Sequence, residues 1–171
     1  MIKTFKILSL LLDYPTNELR DNLNEIPEAI EAEKLLTDLL YEKLQNFLKY
    51  ASAFTTLREW QQDYVQLFDT SAQTNLYLFD FVYGSSKERG QAMVDLKESY
   101  LQAGMTPSDK ELPDYLPMFL EFVASQPSFA EASKVLGEIH PVLQQMEKRF
   151  GEATHPYAPL IRILVSLSSN P

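Results

Sequence analysis

Apolar residues return every three to four positions along almost the whole chain. That period builds amphipathic helices and does not build half-buried strands. Between Glu33 and Tyr50 they are Leu35, Leu36, Leu39, Leu40, Leu44, Phe47 and Leu48. Between Leu57 and Phe68 one side carries Leu57, Trp60, Tyr64, Leu67 and Phe68. A chain patterned in this way has to bury helix faces against one another. The expected fold is therefore all-α: a single-domain bundle of about eight or nine helices spanning residues 1–171.

Local start and stop signals divide the pattern. A first helix over about Lys3 to Leu12 ends at Asp13-Tyr14-Pro15, and Thr16 is placed to cap a short successor. Pro27 starts the next segment, with Glu28, Glu31 and Glu33 suited to the positive end of its dipole. Thr56-Leu57-Arg58-Glu59 and Ser85-Ser86-Lys87-Glu88 fit capping boxes, and Gly104 fits the position after a helix end. Residues 105–113 are expected to form a mobile loop. Asp114 is expected to cap the helix that follows, with Pro117 in its first turn. Ser128 to Glu131 starts another helix, which Pro141 should kink or split. A final helix covers about Tyr157 to Ser168, with Tyr157, Leu160, Ile161 and Leu164 facing inward. The stretch from Asn75 to Gly84 alternates aromatic residues in a strand period, but no second strand is evident, so a short helix or extended turn is expected.

Composition narrows the chemistry. The net charge of −9 repels nucleic acid and anionic membrane and favours a basic partner. The chain has no cysteine, which excludes disulfides, thiol nucleophiles and cysteine-bound metals. Its two histidines, His140 and His155, lack a metal-ligand spacing. Five glycines, mostly at helix ends, build no phosphate-cradling loop. Neither an enzyme active site nor a cofactor is expected. The apolar run Ile7 to Leu12 is too short for a signal peptide core and reads as a core helix, so a soluble cytoplasmic protein is expected.

Three features resist a purely structural reading. Arg89 lies on the inner stripe of its helix near the N-terminus, and Gly90 beside it costs about 1 kcal/mol against alanine. An ion pair for Arg89 and a close helix crossing at Gly90 are the plainer explanation. Six aromatics fall between Tyr64 and Tyr83, mostly core, with any exposed subset forming a partner patch. Finally, Asp114 and Glu121 are the only charges between Leu112 and Ala124, so that helix is apolar nearly all round. It is either the centre of the fold or has one face turned to a partner.

Several blocks then stand in a telling order: Leu12-Asp13-Tyr14-Pro15, Tyr64-Val65-Gln66-Leu67-Phe68-Asp69, Leu76-Tyr77-Leu78, Gly84, Lys87 to Met93, Glu111 to Pro117, and Leu120-Glu121-Phe122. This ordered set, over most of the chain, resembles the NarJ-like delta-subunit assembly chaperones of respiratory nitrate reductase, within the wider TorD-like molybdoenzyme chaperones. Where that family carries Asp-His, this chain has Asp114-Tyr115, so a role tied to the histidine is not carried over. Nor are functions of the longer C-terminal tail that many members carry.

The resemblance implies a cytoplasmic chaperone that binds the N-terminal segment of the apo catalytic subunit. It would keep that subunit open for molybdenum cofactor insertion and delay its docking to the membrane subunit. It implies a monomer or weak dimer with no nucleic acid partner and no membrane insertion. The expected peptide groove is Tyr64, Phe68, Leu76, Tyr77, Tyr115, Met118, Glu121 and Phe122, organised by Arg89, Gly90 and Asp114. The competing readings are a TorD-like chaperone for a DMSO or selenate reductase, a small-ligand-binding helical domain, and an all-α structural subunit.

Overall fold

The computed structural model describes residues 1–83 and 86–169. Among them are ten α-helices and no strand. The helices are α1 (Lys3–Leu12), α2 (Asn17–Asp21), α3 (Ile26–Glu33), α4 (Asp38–Ser52), α5 (Leu57–Asp69), α6 (Glu88–Gln102), α7 (Leu116–Ala124), α8 (Phe129–Gly137), α9 (His140–Glu152) and α10 (Ala158–Ser168). Two 3-10 turns, Leu23–Glu25 and Leu78–Phe81, complete the regular structure.

Two apolar helices organise the bundle. α10 packs against α4, α8 and α9, and α7 packs along α1 and against α8. Ile2 N–H donates to Ala124 O (2.8 Å) and Ser9 Oγ to Pro117 O (2.6 Å), so α1 and α7 run antiparallel. In α7 only Glu121 and Phe122 reach the surface, which answers the question its sequence raises: it is the centre of the fold. α10 goes further than its expected stripe. Ile163, Val165 and Leu167 are buried along with Leu160, Ile161 and Leu164, because helices cover it on three sides.

The local signals largely hold. Thr16, Thr56 and Ser128 each accept from a backbone N–H two or three residues into their helices, and Thr56–Glu59 forms the reciprocal box. Pro141 splits the long stripe into α8 and α9. Gly104 takes φ +76°, a conformation costly for a side chain. The stripe from Glu33 to Tyr50 is not one helix. Lys34 turns left-handed (φ 55°), and α4 starts afresh after Thr37, whose hydroxyl accepts from Leu40 N–H. Ser85 and Gly84 lie outside the described residues, and α6 begins at Glu88 with no side-chain cap from Lys87.

Glu31 and Glu33 sit in the last turn of α3, not its first. Glu33 serves a different helix. Its carboxylate accepts from Lys3 N–H, Thr4 N–H and the Thr4 hydroxyl, each at 2.7 Å. α1 has no cap of its own, since Ile2 occupies that position. Burial works to raise the Glu33 pKa, but the hydrogen bonds from Thr4 and Lys3 outweigh it and hold the carboxyl below its ordinary value. We expect Glu33→Gln to cost about 1 kcal/mol at neutral pH, as loss of a helix cap does. Because the folded-state pKa is lowered, that stability is present above the unfolded value of about 4.3 and disappears as pH falls below it. Urea titrations of both proteins at neutral and acid pH check this.

α6 is the least embedded helix. Only Tyr100 is fully buried, and Ala92, Met93 and Leu96 are half-buried beneath it. Gly90 does not permit a close crossing, since a Cβ built there meets nothing within 4 Å. Gly90→Ala should therefore stabilise the chain by about 0.5–1 kcal/mol, read as a Tm rise of roughly 2 °C.

Candidate functional site

Four of the motif blocks converge on one cleft. After α5 the chain passes through Tyr77, in extended conformation, into the 78–81 turn, and there it meets the segment entering α7. Leu116 N–H donates to Leu76 O (2.8 Å) and Leu78 N–H to Asp114 O (3.0 Å), making an isolated antiparallel bridge between Tyr77 and Tyr115. Of the alternating aromatics Tyr77 pairs in this way, while Phe79 and Phe81 fall in the 78–81 turn, in line with the short helix or extended turn expected.

The cleft encloses about 230 Å³. Its walls are Tyr14 from the end of α1, Tyr64, Val65, Phe68 and Asp69 from α5, Asn75, Leu76 and Tyr77, and Glu111 and Tyr115 before α7. Through Tyr14, Val65 and Asp69 it continues into a shallower trough of about 630 Å³ along α5, where Arg58 sits. Among the described residues no base lines the cleft itself, while Asp69 and Glu111 do.

A chain of hydroxyls ties its floor together. Tyr115 Oη donates to Asp13 Oδ1 (3.0 Å) and lies 2.9 Å from Tyr64 Oη, which donates to Leu12 O (2.8 Å). The Tyr77 hydroxyl donates to Glu111. Burial, with Tyr64 and Asp13 beside it, pushes the Tyr115 pKa far up. Burial and Glu111 do the same for Tyr77. All three phenols are neutral donors at any physiological pH. The arrangement offers aromatic surface and carboxylate hydrogen-bond acceptors.

Behind the cleft the aromatics continue into the core. Tyr64 and Phe68 pack edge-on against Tyr157 (5.7 and 5.0 Å between ring centres), and Phe68 lies 4.8 Å from the buried His155 ring. Burial lowers the His155 pKa, so it sits neutral in this cage. Its neutral form favours the fold above the unfolded value near 6.5, and that contribution is lost as pH falls below it.

Asp114 does not cap α7. Tyr115 occupies the cap position, and the Asp114 carboxylate turns to accept from Phe79 N–H (2.9 Å), pinning the 78–81 turn. It is completely buried, and its second oxygen accepts no hydrogen bond from the described residues. Burial raises its pKa against the pull of the Phe79 amide and the Arg89 charge. Arg89 pairs with Asp80 (2.5 Å) and so ties α6 to the same turn, as its position on the inner stripe suggested. Gly90 is exposed on the following position of α6.

Of the eight expected groove residues, Tyr64, Phe68, Leu76, Tyr77 and Tyr115 meet in the cleft. Met118, Glu121 and Phe122 do not. Met118 joins the core, Glu121 pairs with Lys6 on α1, and Phe122 packs on Tyr100 (5.2 Å). They lie one to two turns further along α7, beyond the end of the cleft. Periodicity missed Tyr14, Asp69 and Glu111, although each stands inside a quoted motif block. Tyr64, Phe68, Leu76 and Tyr115 are each at most 8% exposed, so the surface a ligand meets is mainly Tyr14, Val65, Asp69, Tyr77 and Glu111. Among the described residues there is no metal-binding cluster and no helix long and apolar enough to cross a membrane.

The family model for the nitrate reductase delta subunit matches residues 17–162. The chain is 39% identical over 163 residues, covering 95% of itself and 68% of the relative, to the nitrate reductase molybdenum cofactor assembly chaperone NarJ of Escherichia coli K12. It is 34% identical over 170 residues, covering 98% of itself and 89% of the relative, to a Bacillus subtilis (strain 168) protein described as a probable chaperone of that kind. A solved structure from Archaeoglobus fulgidus, described as a candidate redox enzyme maturation protein, superposes with a TM-score of 0.67 at 22% identity, covering 99% of this chain and 94% of that one, and shares the fold.

A helical bundle with an aromatic, acidic cleft and relatives of this description is an assembly chaperone rather than an enzyme. The chain belongs to the nitrate reductase delta subunit family.

Proposed function

We propose that the chain binds the N-terminal segment of the apo catalytic subunit of a respiratory nitrate reductase in the cytoplasm. It keeps that subunit competent for molybdenum cofactor insertion and delays its docking to the membrane subunit. The observation that carries this reading is the cleft: aromatic walls, two acidic rim residues and no lining base, in a chain of net charge −9. That chemistry suits a basic amphipathic helix, whose apolar face lies on Tyr14, Val65 and Tyr77 while its Lys or Arg side chains meet Asp69 and Glu111. Acidic steering raises the encounter rate and makes it salt-dependent.

The 105–113 loop carries Glu111 and is the segment proposed to move when the peptide enters. Its far end is held by Tyr100 Oη donating to Pro113 O (2.7 Å) and by the Tyr77–Glu111 bond. Asp114 and Arg89 organise the site by holding the 78–81 turn. The chaperone acts as a monomer or weak dimer, with no nucleic acid and no cofactor of its own.

Calorimetric titration with a synthetic N-terminal peptide of the nitrate reductase catalytic subunit from the same organism tests this. Saturable one-to-one binding that weakens with salt supports it. Heat-silent mixing across pH and salt, with no change in tyrosine fluorescence, overturns it.

A further inference from the structure

α1, α2 and α3 enclose a second groove of about 410 Å³, which shares no lining residue with the aromatic cleft. Ile7, Leu19, Ile26 and Ala29 form an apolar floor, and Leu10 stands over it 42% exposed. The polar side chains at its edge are already engaged. The Thr16 hydroxyl accepts from Leu19 N–H, Asn22 donates to Glu18 O, and Lys6 pairs with Glu121. Glu18 and Glu25 are different. Both are exposed on the rim, and neither carboxylate has a hydrogen-bond or ion-pair partner among the described residues. From Glu18 to Glu33 the chain carries six acids and one base, and that base, Arg20, is bound to Thr55 O.

We infer that this groove docks a second basic amphipathic helix of a client polypeptide, separate from the one at the cleft. The inference rests on the chaperone reading only for the word client; the groove's chemistry stands by itself. An apolar floor wants the apolar face of a helix, and the two unpaired carboxylates want Lys or Arg on its flanks. A second copy of this chain would bring acid against acid, and an anionic membrane would be repelled in the same way.

The test is methyl NMR of the full chain with a designed probe: an end-capped peptide with Leu at i, i+3, i+4 and i+7 and Lys on both flanks. It is run in the Glu111→Lys background, which disables the cleft. The expected result is shifted methyls at Ile7, Leu10, Leu19 and Ile26, with affinity lost about tenfold or more in Leu10→Asp, the worth of one buried leucine. A Glu18→Lys/Glu25→Lys double variant should lose binding too, with circular dichroism unchanged in both. Three results would overturn the inference. The first is shifts confined to Val65 and Leu76, which would mean that the probe still goes to the cleft alone. The second is no shift at any of the four floor methyls. The third is shifts at those methyls that depend on protein concentration without probe, which would make a second copy the occupant.

Discussion

Tyr157→Ala should remove most of the stability of the bundle. The ring is fully buried and packs against Phe47, Tyr50, Tyr64, Phe68 and His155, with Phe47 nearest at 4.9 Å. Deleting an aromatic from such a site costs about 3–5 kcal/mol. The same change strands the indole N–H of Trp60, itself fully buried, which donates to Tyr157 Oη (3.0 Å), and a stranded buried donor costs about 1–3 kcal/mol more. Against the roughly 5–15 kcal/mol that holds a domain together, that is a large share. Thermal unfolding followed by circular dichroism should show Tm falling by about 10 °C or more, or no cooperative transition. Tyr157→Phe isolates the hydrogen bond and should cost only about 1–3 kcal/mol. Equal losses in the two variants would contradict this partition.

Glu111→Lys should abolish most peptide binding while leaving the fold in place. Glu111 is half-buried on the loop before α7 and takes the Tyr77 hydroxyl. Reversing it replaces attraction for a basic peptide with repulsion and frees the Tyr77 ring it steadies. A loss of about tenfold or more in affinity is expected, mostly in salt-sensitive association, and a second reversal at Asp69 should deepen it. Calorimetry at two salt concentrations reads both effects. Undiminished affinity in the double reversal would show that the acidic rim is not where the peptide lies. Tyr115→Ala is a poorer probe than its sequence position suggests. Tyr115 is 8% exposed and bonded to Asp13 and Tyr64, so truncation would disturb the floor along with any contact.

Much of this was legible in the sequence, for physical reasons. Helices announce themselves by period and caps, both local properties, so Thr16, Thr56, Ser128, Gly104 and Pro141 mark structure as their chemistry dictates. Where the structure departs from the pattern, a distant partner decides. Glu33 reads as a dipole residue of its own helix, and it caps α1 because folding brings α3 against that terminus. Asp114 reads as a helix cap, and it instead holds the 78–81 turn, which no local rule could pair with it. The alternating aromatics of 75–83 lacked a strand partner because Tyr77 alone pairs, through one bridge to a loop, and Phe79 and Phe81 wind into a 3-10 turn.

The candidate site was half legible for the same reason. Aromatic density pointed to Tyr64, Phe68 and Tyr77, and the motif blocks added Leu76 and Tyr115; the fold brings all five together. Extending the groove down α7 to Met118, Glu121 and Phe122 assumed that an all-apolar helix needs two uses. α1 and α8 already cover it, and Glu121 is spent on Lys6. The acidic rim came from Asp69 and Glu111, charged residues whose positions carry no periodic signal.

The most direct test of the account is photo-cross-linking of the catalytic-subunit N-terminal peptide, carrying a benzophenone side chain at a central apolar position, followed by mass spectrometric mapping. Adducts on Tyr14, Val65, Tyr77 and the Glu111 loop are the predicted result. Adducts confined to the Glu121–Phe122 face, with none on those four, would contradict it.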